Sequence, residues 1–170
     1  MNTDHKIKTY PQLARAIAKV RRAGRTVVMV TGCYDIMHLG HLIFFNYAKK
    51  YGSVLIVALG SDDTIHAYKG PSRPIHSEVV RSRLCAGFEV VDYVTICHEP
   101  LVNFNMDHAK LIDLIKPDYY VVPKTDKKLA YKKKLVESAG GTLIACNRIP
   151  PNHIKGGIST SQIIERSKGI

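Results

Sequence analysis

Five short apolar runs constrain the fold more than any other feature of the chain. They are TVVMV (26–30), SVLIVAL (53–59), VVDYVTI (90–96), DYYVV (118–122) and TLIAC (142–146). Each is rich in β-branched or aromatic residues and has the length of a strand rather than a helix. Between them lie segments with helical spacing. These are TYPQLARAIAKVRRAG (9–24), HLIFFNYAKKYG (41–52), EVVRSRLCAGFE (78–89), DHAKLIDLIK (107–116), which Pro117 stops, and KLAYKKKLVESAGG (128–141). A last short helix is expected to be capped near Ser159. Strands that are apolar throughout have both faces covered, and strands separated by helices pair in parallel. The expectation is an α/β fold, a single doubly wound, Rossmann-like domain over residues 1–170 with a five-stranded parallel sheet. The polar stretches 60–77 and 147–157 read as loops.

A chain of 170 residues suits one core. Its apolar runs fall far short of the roughly 18 residues that a membrane span needs. The opening MNTDHKIKTYPQ lacks the apolar centre of a signal peptide. A cytoplasmic protein with no membrane partner is expected. The four cysteines, Cys33, Cys85, Cys97 and Cys146, show no CxxC pairing and read as reduced thiols in or near the core. The formal charge of +11 admits nucleic acid, an anionic membrane or anionic small molecules as partners. No helix-turn-helix, zinc-finger or RNP signature is present, so nucleic acid is not the expected partner.

Ligands of doubly wound sheets sit outside the carboxyl ends of the strands. The notable polar residues fall there: His38 and His41 after the first strand, Lys69, Arg73 and Arg81 after the second, Lys124 after the fourth, Ser159 to Ser161 after the fifth. Two histidines three residues apart share one face of a helix. At its N-terminus, free N–H groups and the helix dipole attract phosphate. Gly40 removes a side chain where a ligand must approach the backbone. The stretch lacks GxGxxG, so it is not a dinucleotide fingerprint. A zinc site would need a third ligand, and no protein-held metal is expected. What remains is a phosphate cradle with two imidazole donors.

GCYDIMHLGH (32–41) resembles the G-x-F-D-x-x-H-x-G-H signature of the HxGH nucleotidyltransferase superfamily, which includes the cytidylyltransferases. GISTSQII (157–164) is similar to its second signature, and Tyr34 stands where Phe is usual. RRAGRTVVMVTGCYDIMHLGH (21–41), KGPSRPI (69–75) with Arg81, IKPDYYVV (115–122) and ESAGGTLIA (137–145) most resemble bacterial D-glycero-β-D-manno-heptose 1-phosphate adenylyltransferases. The GIST wording leans instead toward cytidylyltransferases for glycerol 3-phosphate and phospho-alcohols. After the fourth strand both branches carry a Gly-Asp segment, and this chain has VPKTDK (122–127).

The resemblance implies transfer of a nucleoside monophosphate from an NTP to a phosphorylated small molecule, releasing pyrophosphate. ATP ranks ahead of CTP, and Mg2+ accompanies the triphosphate. The implied catalytic residues are His38, His41, Lys69 and Arg81. Gly32, Cys33, Tyr34, Asp35, Gly40, Ile158, Ser159, Thr160 and Ser161 are the implied nucleotide-binding set, and Asp62, Arg73 and Lys124 the substrate set. A cation at Lys124 is expected to meet the acceptor's anionic part. The alternatives are a cytidylyltransferase, an FAD-synthetase-like adenylyltransferase and, in a different class, a non-catalytic nucleotide- or RNA-binding module. A homodimer is left open.

Overall fold

A computed structural model describes residues 3–102, 105–147 and 159–167 of the chain. The elements run α1 (Tyr10–Arg22), β1 (Val27–Gly32), α2 (Leu39–Lys49), β2 (Val54–Gly60), α3 (Asp62–Lys69) and α4 (Glu78–Ala86). They continue with β3 (Tyr93–Cys97), β4 (Leu101–Val102), β5 (Asn105–Met106), α5 (Ala109–Ile115), β6 (Tyr119–Pro123), α6 (Leu129–Ser138), β7 (Thr142–Cys146) and α7 (Thr160–Ser167). The main sheet has the order β3-β2-β1-β6-β7, with every pairing parallel. β4 and β5 form a separate antiparallel hairpin that the apolar pattern does not announce.

Two-residue alternation sorts the strand side chains onto two cores. Val27, Met29, Val54, Ile56, Ala58, Tyr120 and Val122 face α1, α5 and α6, where Leu13, Ile17, Leu111, Ile112 and Val136 meet them. Val28, Val30, Leu55, Val57, Leu59 and Val121 face α2 and α4, against Phe44, Phe45, Ala48, Cys85 and Ala86. All seven residues of β2 are buried, as its uninterrupted apolar run requires. No cysteine is in a disulfide. Among the described residues, no helix is long and apolar enough to cross a membrane.

Two expectations change. The segment 60–77 is not all loop. The Ser61 side chain accepts from the Thr64 amide at 3.2 Å and starts α3, with Asp62 and Asp63 in its first turn. The cap signature and acidic first turn outweigh the overall polarity. β3 begins at Tyr93 rather than Val90, because Val90 and Val91 pack from the turn before it.

Candidate active site

β1 pairs with β2 at six positions but with β6 at only two, Val28↔Tyr119 and Met29↔Tyr120. The chain order reverses at this junction, which is where open α/β sheets hold ligands. Beyond the last pair, the Thr31 Oγ1 and Tyr120 hydroxyls meet at 2.6 Å across the opening. A cavity of about 240 Å³ sits at the carboxyl end, walled by the loop after β1, the start of α2 and the start of α7. A second, of about 510 Å³, adjoins it over β6 and α6. The two share Thr31, Gly32, Cys33, Lys69 and Pro123.

The smaller cavity holds both histidines, in a different relation from a shared helical face. His38 is the extended N-cap residue of α2, at φ −148° and ψ 169°. Its Nδ1 accepts from the Gly40 amide at 3.1 Å, and the His38 amide donates to His41 Nδ1 at 3.4 Å. The rings lie 4.0 Å apart at 31°. A neutral imidazole whose Nδ1 accepts carries its proton on Nε2. Each ring is therefore set as an Nε2–H donor. The expected backbone cradle at α2 is reduced in exchange, since the Gly40 amide goes to His38 Nδ1 and the His41 amide to His38 O at 2.9 Å.

Tyr34 adopts φ 49°, unusual for a bulky residue, and turns the chain sharply after β1. Its buried ring meets His41 edge-on at 5.4 Å and Phe45 at 5.2 Å. A Cβ on Gly32 would come within 2.8 Å of Tyr34 Cζ, so this glycine accommodates the tyrosine.

Asp35 lines the same cavity yet is 1% exposed. Its carboxylate accepts from the amides of Ile75 and His76, each at 2.9 Å, and from Arg73 Nε at 2.5 Å. Burial pushes this carboxyl up, but the His76 and Ile75 amides and Arg73 outweigh that and hold it below the usual carboxylate range. Asp35 orders the 73–76 segment and brings Arg73 to the cavity wall. Lys69, at the end of α3, is exposed and borders both cavities. Ser159, Thr160 and Ser161 also line the smaller one. The Ser159 side chain accepts from the Gln162 amide at 3.2 Å, and Thr160 Oγ1 donates to Ile36 O at 3.2 Å. These bonds aim the amino end of α7 at the histidines. Ile158 lies outside the described residues.

Arg81, expected at the phosphates, is not on the wall of either cavity. It is 0% exposed. Its guanidinium donates to His76 O (2.9 Å), Cys33 O (2.7 Å), Gly60 O (2.8 Å) and Asp62 Oδ1 (2.8 Å). It ties the loop after β1 to the end of β2 and the start of α4. Asp62 is committed to that ion pair. Lys124 is likewise outside both cavities: its amide donates to Cys146 O at 2.7 Å, and its side chain is exposed. Further along the chain, Lys127, Lys128 and Lys132 do line the larger cavity, and of these Lys132 is on α6. His108 joins them on the larger cavity, with no motif to point to it.

The fit of a resident metal is testable from the carboxylates. Among the described residues, no group of three or more His, Cys, Asp or Glu could hold a metal ion. Asp35, the carboxylate beside the histidines, is already engaged by three donors. A Mg2+ ion here would be held by the triphosphate that brings it.

The profile of the cytidylyltransferase-like family matches residues 29–166, which include both histidines, both cavities and most of α7. The bifunctional protein HldE of Syntrophotalea carbinolica is 36% identical over 170 residues, covering 96% of this chain and 31% of that protein. HldE of Campylobacter jejuni strain RM1221 is 38% identical over 170 residues, with 99% and 32% covered. The chain thus spans roughly a third of the length of these curated relatives. Among solved structures, the lipopolysaccharide core biosynthesis protein from Thermoplasma volcanium superposes with a TM-score of 0.64 at 28% identity, over 75% of this chain and 100% of that one. The pantoate-beta-alanine ligase from Francisella tularensis, complexed with beta-gamma ATP and beta-alanine, gives 0.63 at 15% identity, over 95% and 76%. At that identity only the fold is shared.

Proposed function

The chain belongs to the cytidylyltransferase-like family and is a nucleotidyltransferase; from that premise we propose that it moves AMP from ATP onto a sugar phosphate of the heptose 1-phosphate type, releasing pyrophosphate. On this reading residues 1–170 act as one catalytic domain in a cytoplasmic protein. The observation that carries it is the pair of adjacent imidazoles, each with Nδ1 turned onto a backbone amide at the start of α2. Two fixed Nε2–H donors beside the amino end of α7 suit a triphosphate.

The acceptor's phosphate oxygen attacks the α-phosphorus in line. A new P–O bond forms as the bond from the α-phosphorus to the bridging oxygen breaks, and pyrophosphate leaves with that electron pair. The acceptor is already anionic, so no general base is required. The protein's part is to position the reactants and offset charge on the α-phosphate and the leaving group. His38 and His41 donate to those oxygens, the amino end of α7 takes the terminal phosphates, and Lys69 and Arg73 supply cations at the rim. A Mg2+ ion carried in with the triphosphate would offset part of its charge, with Lys69 and Arg73 offsetting more from the rim. Arg81 acts behind the site by holding the β1 loop.

A pyrophosphate-release screen of ATP, CTP, GTP and UTP against sugar 1-phosphates, glycerol 3-phosphate and phosphocholine tests the proposal. Turnover with ATP and a sugar 1-phosphate is expected. Preferred turnover with CTP and glycerol 3-phosphate would move the chain to the cytidylyltransferase branch that GIST (157–160) resembles. RNA binding with no NTP turnover would remove the enzymatic reading.

A further inference from the structure

The larger cavity contains a side chain that the reaction above does not use. His108 sits just before α5, 2% exposed, on the cavity wall. Neither ring nitrogen has a hydrogen-bond partner among the described residues. The residue is not needed as a helix cap. Asp107 Oδ1 accepts from the Ala109 amide at 3.0 Å and from the Tyr131 hydroxyl at 3.1 Å, and the His108 side chain caps nothing. Burial, and after it the charge of Lys132, lower its pKa to about 4. Near neutral pH the ring is uncharged, with one donor and one acceptor. A hydroxyl, which gives and accepts one hydrogen bond, matches both. A phosphate dianion offers acceptors alone.

The surrounding charges define the other end of an occupant. The Lys132 side chain is 13% exposed, its Nζ 2.7 Å from Asp126, 3.5 Å from Thr31 Oγ1 and 5.6 Å over the Tyr120 ring. Lys69, Lys127 and Lys128 line the same cavity against the one carboxylate of Asp126. Lys69 also borders the histidine cavity, where an anion shared by two reactants would lie. The occupant that fits is a phosphorylated polyol, its phosphate toward Lys69 and its hydroxyls toward His108.

We propose that the cavity between His108 and Lys132 receives the hydroxylated body of the acceptor, and that His108 selects it by hydrogen-bonding one hydroxyl. Calling that ligand an acceptor rests on the transfer reaction above; its binding is measurable without turnover. The test uses the wild-type chain with its histidine rings labelled with 15N. D-mannose 1-phosphate, D-glucose 1-phosphate, glycerol 3-phosphate and methyl phosphate are added in turn, and calorimetry is run on wild type and His108→Leu. At least one hydroxylated phosphate should move the His108 ring nitrogens, and methyl phosphate should not. His108→Leu should weaken that ligand about tenfold and leave a non-hydrolysable ATP analogue within twofold. Ring nitrogens unmoved by all three hydroxylated phosphates at millimolar concentration would overturn the proposal. So would an equal loss of methyl phosphate and the hydroxylated ligand in His108→Leu. The wild-type NMR arm decides even if the variant does not fold. If no NTP is turned over while His108 still responds to a hydroxylated phosphate, the transfer reaction falls and this site stands.

Discussion

Replacing Arg81 by methionine separates two roles that the same position can have. In the motif it is a phosphate contact; in the structure its guanidinium is buried and donates to three backbone carbonyls and one carboxylate. Methionine fills similar space and removes every donor. The carbonyls of Cys33, Gly60 and His76 then lose a charged partner, while Asp62, at 40% side-chain exposure, rehydrates. Leaving a buried carbonyl without its donor costs about 1–3 kcal/mol, so three of them, partly relaxed, should cost about 3–5 kcal/mol. A chain of this length shifts its melting temperature by about 2–4 °C per kcal/mol, so a drop of about 6–20 °C is expected. Urea unfolding of wild type and Arg81→Met, followed by circular dichroism, measures the loss directly, and calorimetry with a non-hydrolysable ATP analogue at low temperature measures binding. Arg81→Lys should recover part of the stability, because one ammonium can reach some of the same carbonyls. Stability within 1 kcal/mol of wild type together with a tenfold loss of nucleotide affinity would refute the buttressing role.

Three further outcomes are expected. His38→Ala and His41→Ala should each lower pyrophosphate release by about 10²–10³ with the fold retained; His38→Asn, which can still cap α2, should keep helix stability but not turnover, and near-normal turnover in any of these would remove the donor role. Asp35 has a folded pKa below its unfolded value, so its contribution is present above about pH 3.9 and lost as pH falls through the lower folded value. Thermal melts between pH 2 and 5 should show a smaller acid-induced loss in Asp35→Asn than in wild type, and parallel profiles would contradict this. Lys124→Ala should leave the acceptor KM within twofold, whereas Lys69→Ala should raise the NTP KM several-fold; steady-state kinetics at two salt concentrations checks both.

The central strands were legible because burial on both faces leaves little room for polar residues, and the partly exposed edge strand β7 because its run is still short and apolar. α3 was not, because Ser61 and its acidic first turn look like loop composition until the cap geometry is known. That the two histidines meet at the carboxyl end of β1 was legible, but the ring orientation depends on His38 lying outside the helix, which spacing alone does not give. Arg81 was visible as a motif residue and its role was not. The carbonyls that surround it come from positions 5, 21 and 48 residues away, and only the folded chain assembles them. Composition does not say which of the lysines between 124 and 134 reach the cavity: Lys127, Lys128 and Lys132 line it and Lys124 does not. His108 carries no periodic or motif signal, and its position becomes visible only with the cavity around it.

The mutual capping of His38 and His41 is made of contacts no more than three residues apart in the chain. Contacts this local close without the loop entropy that distant pairings demand, and they form on the timescale of the helix itself. The two imidazoles therefore need only α2 and its cap, and not the long-range pairing of β1 with β6, to take up this arrangement. On the proposed reaction, the two Nε2–H donors would need no rearrangement between one nucleotide and the next.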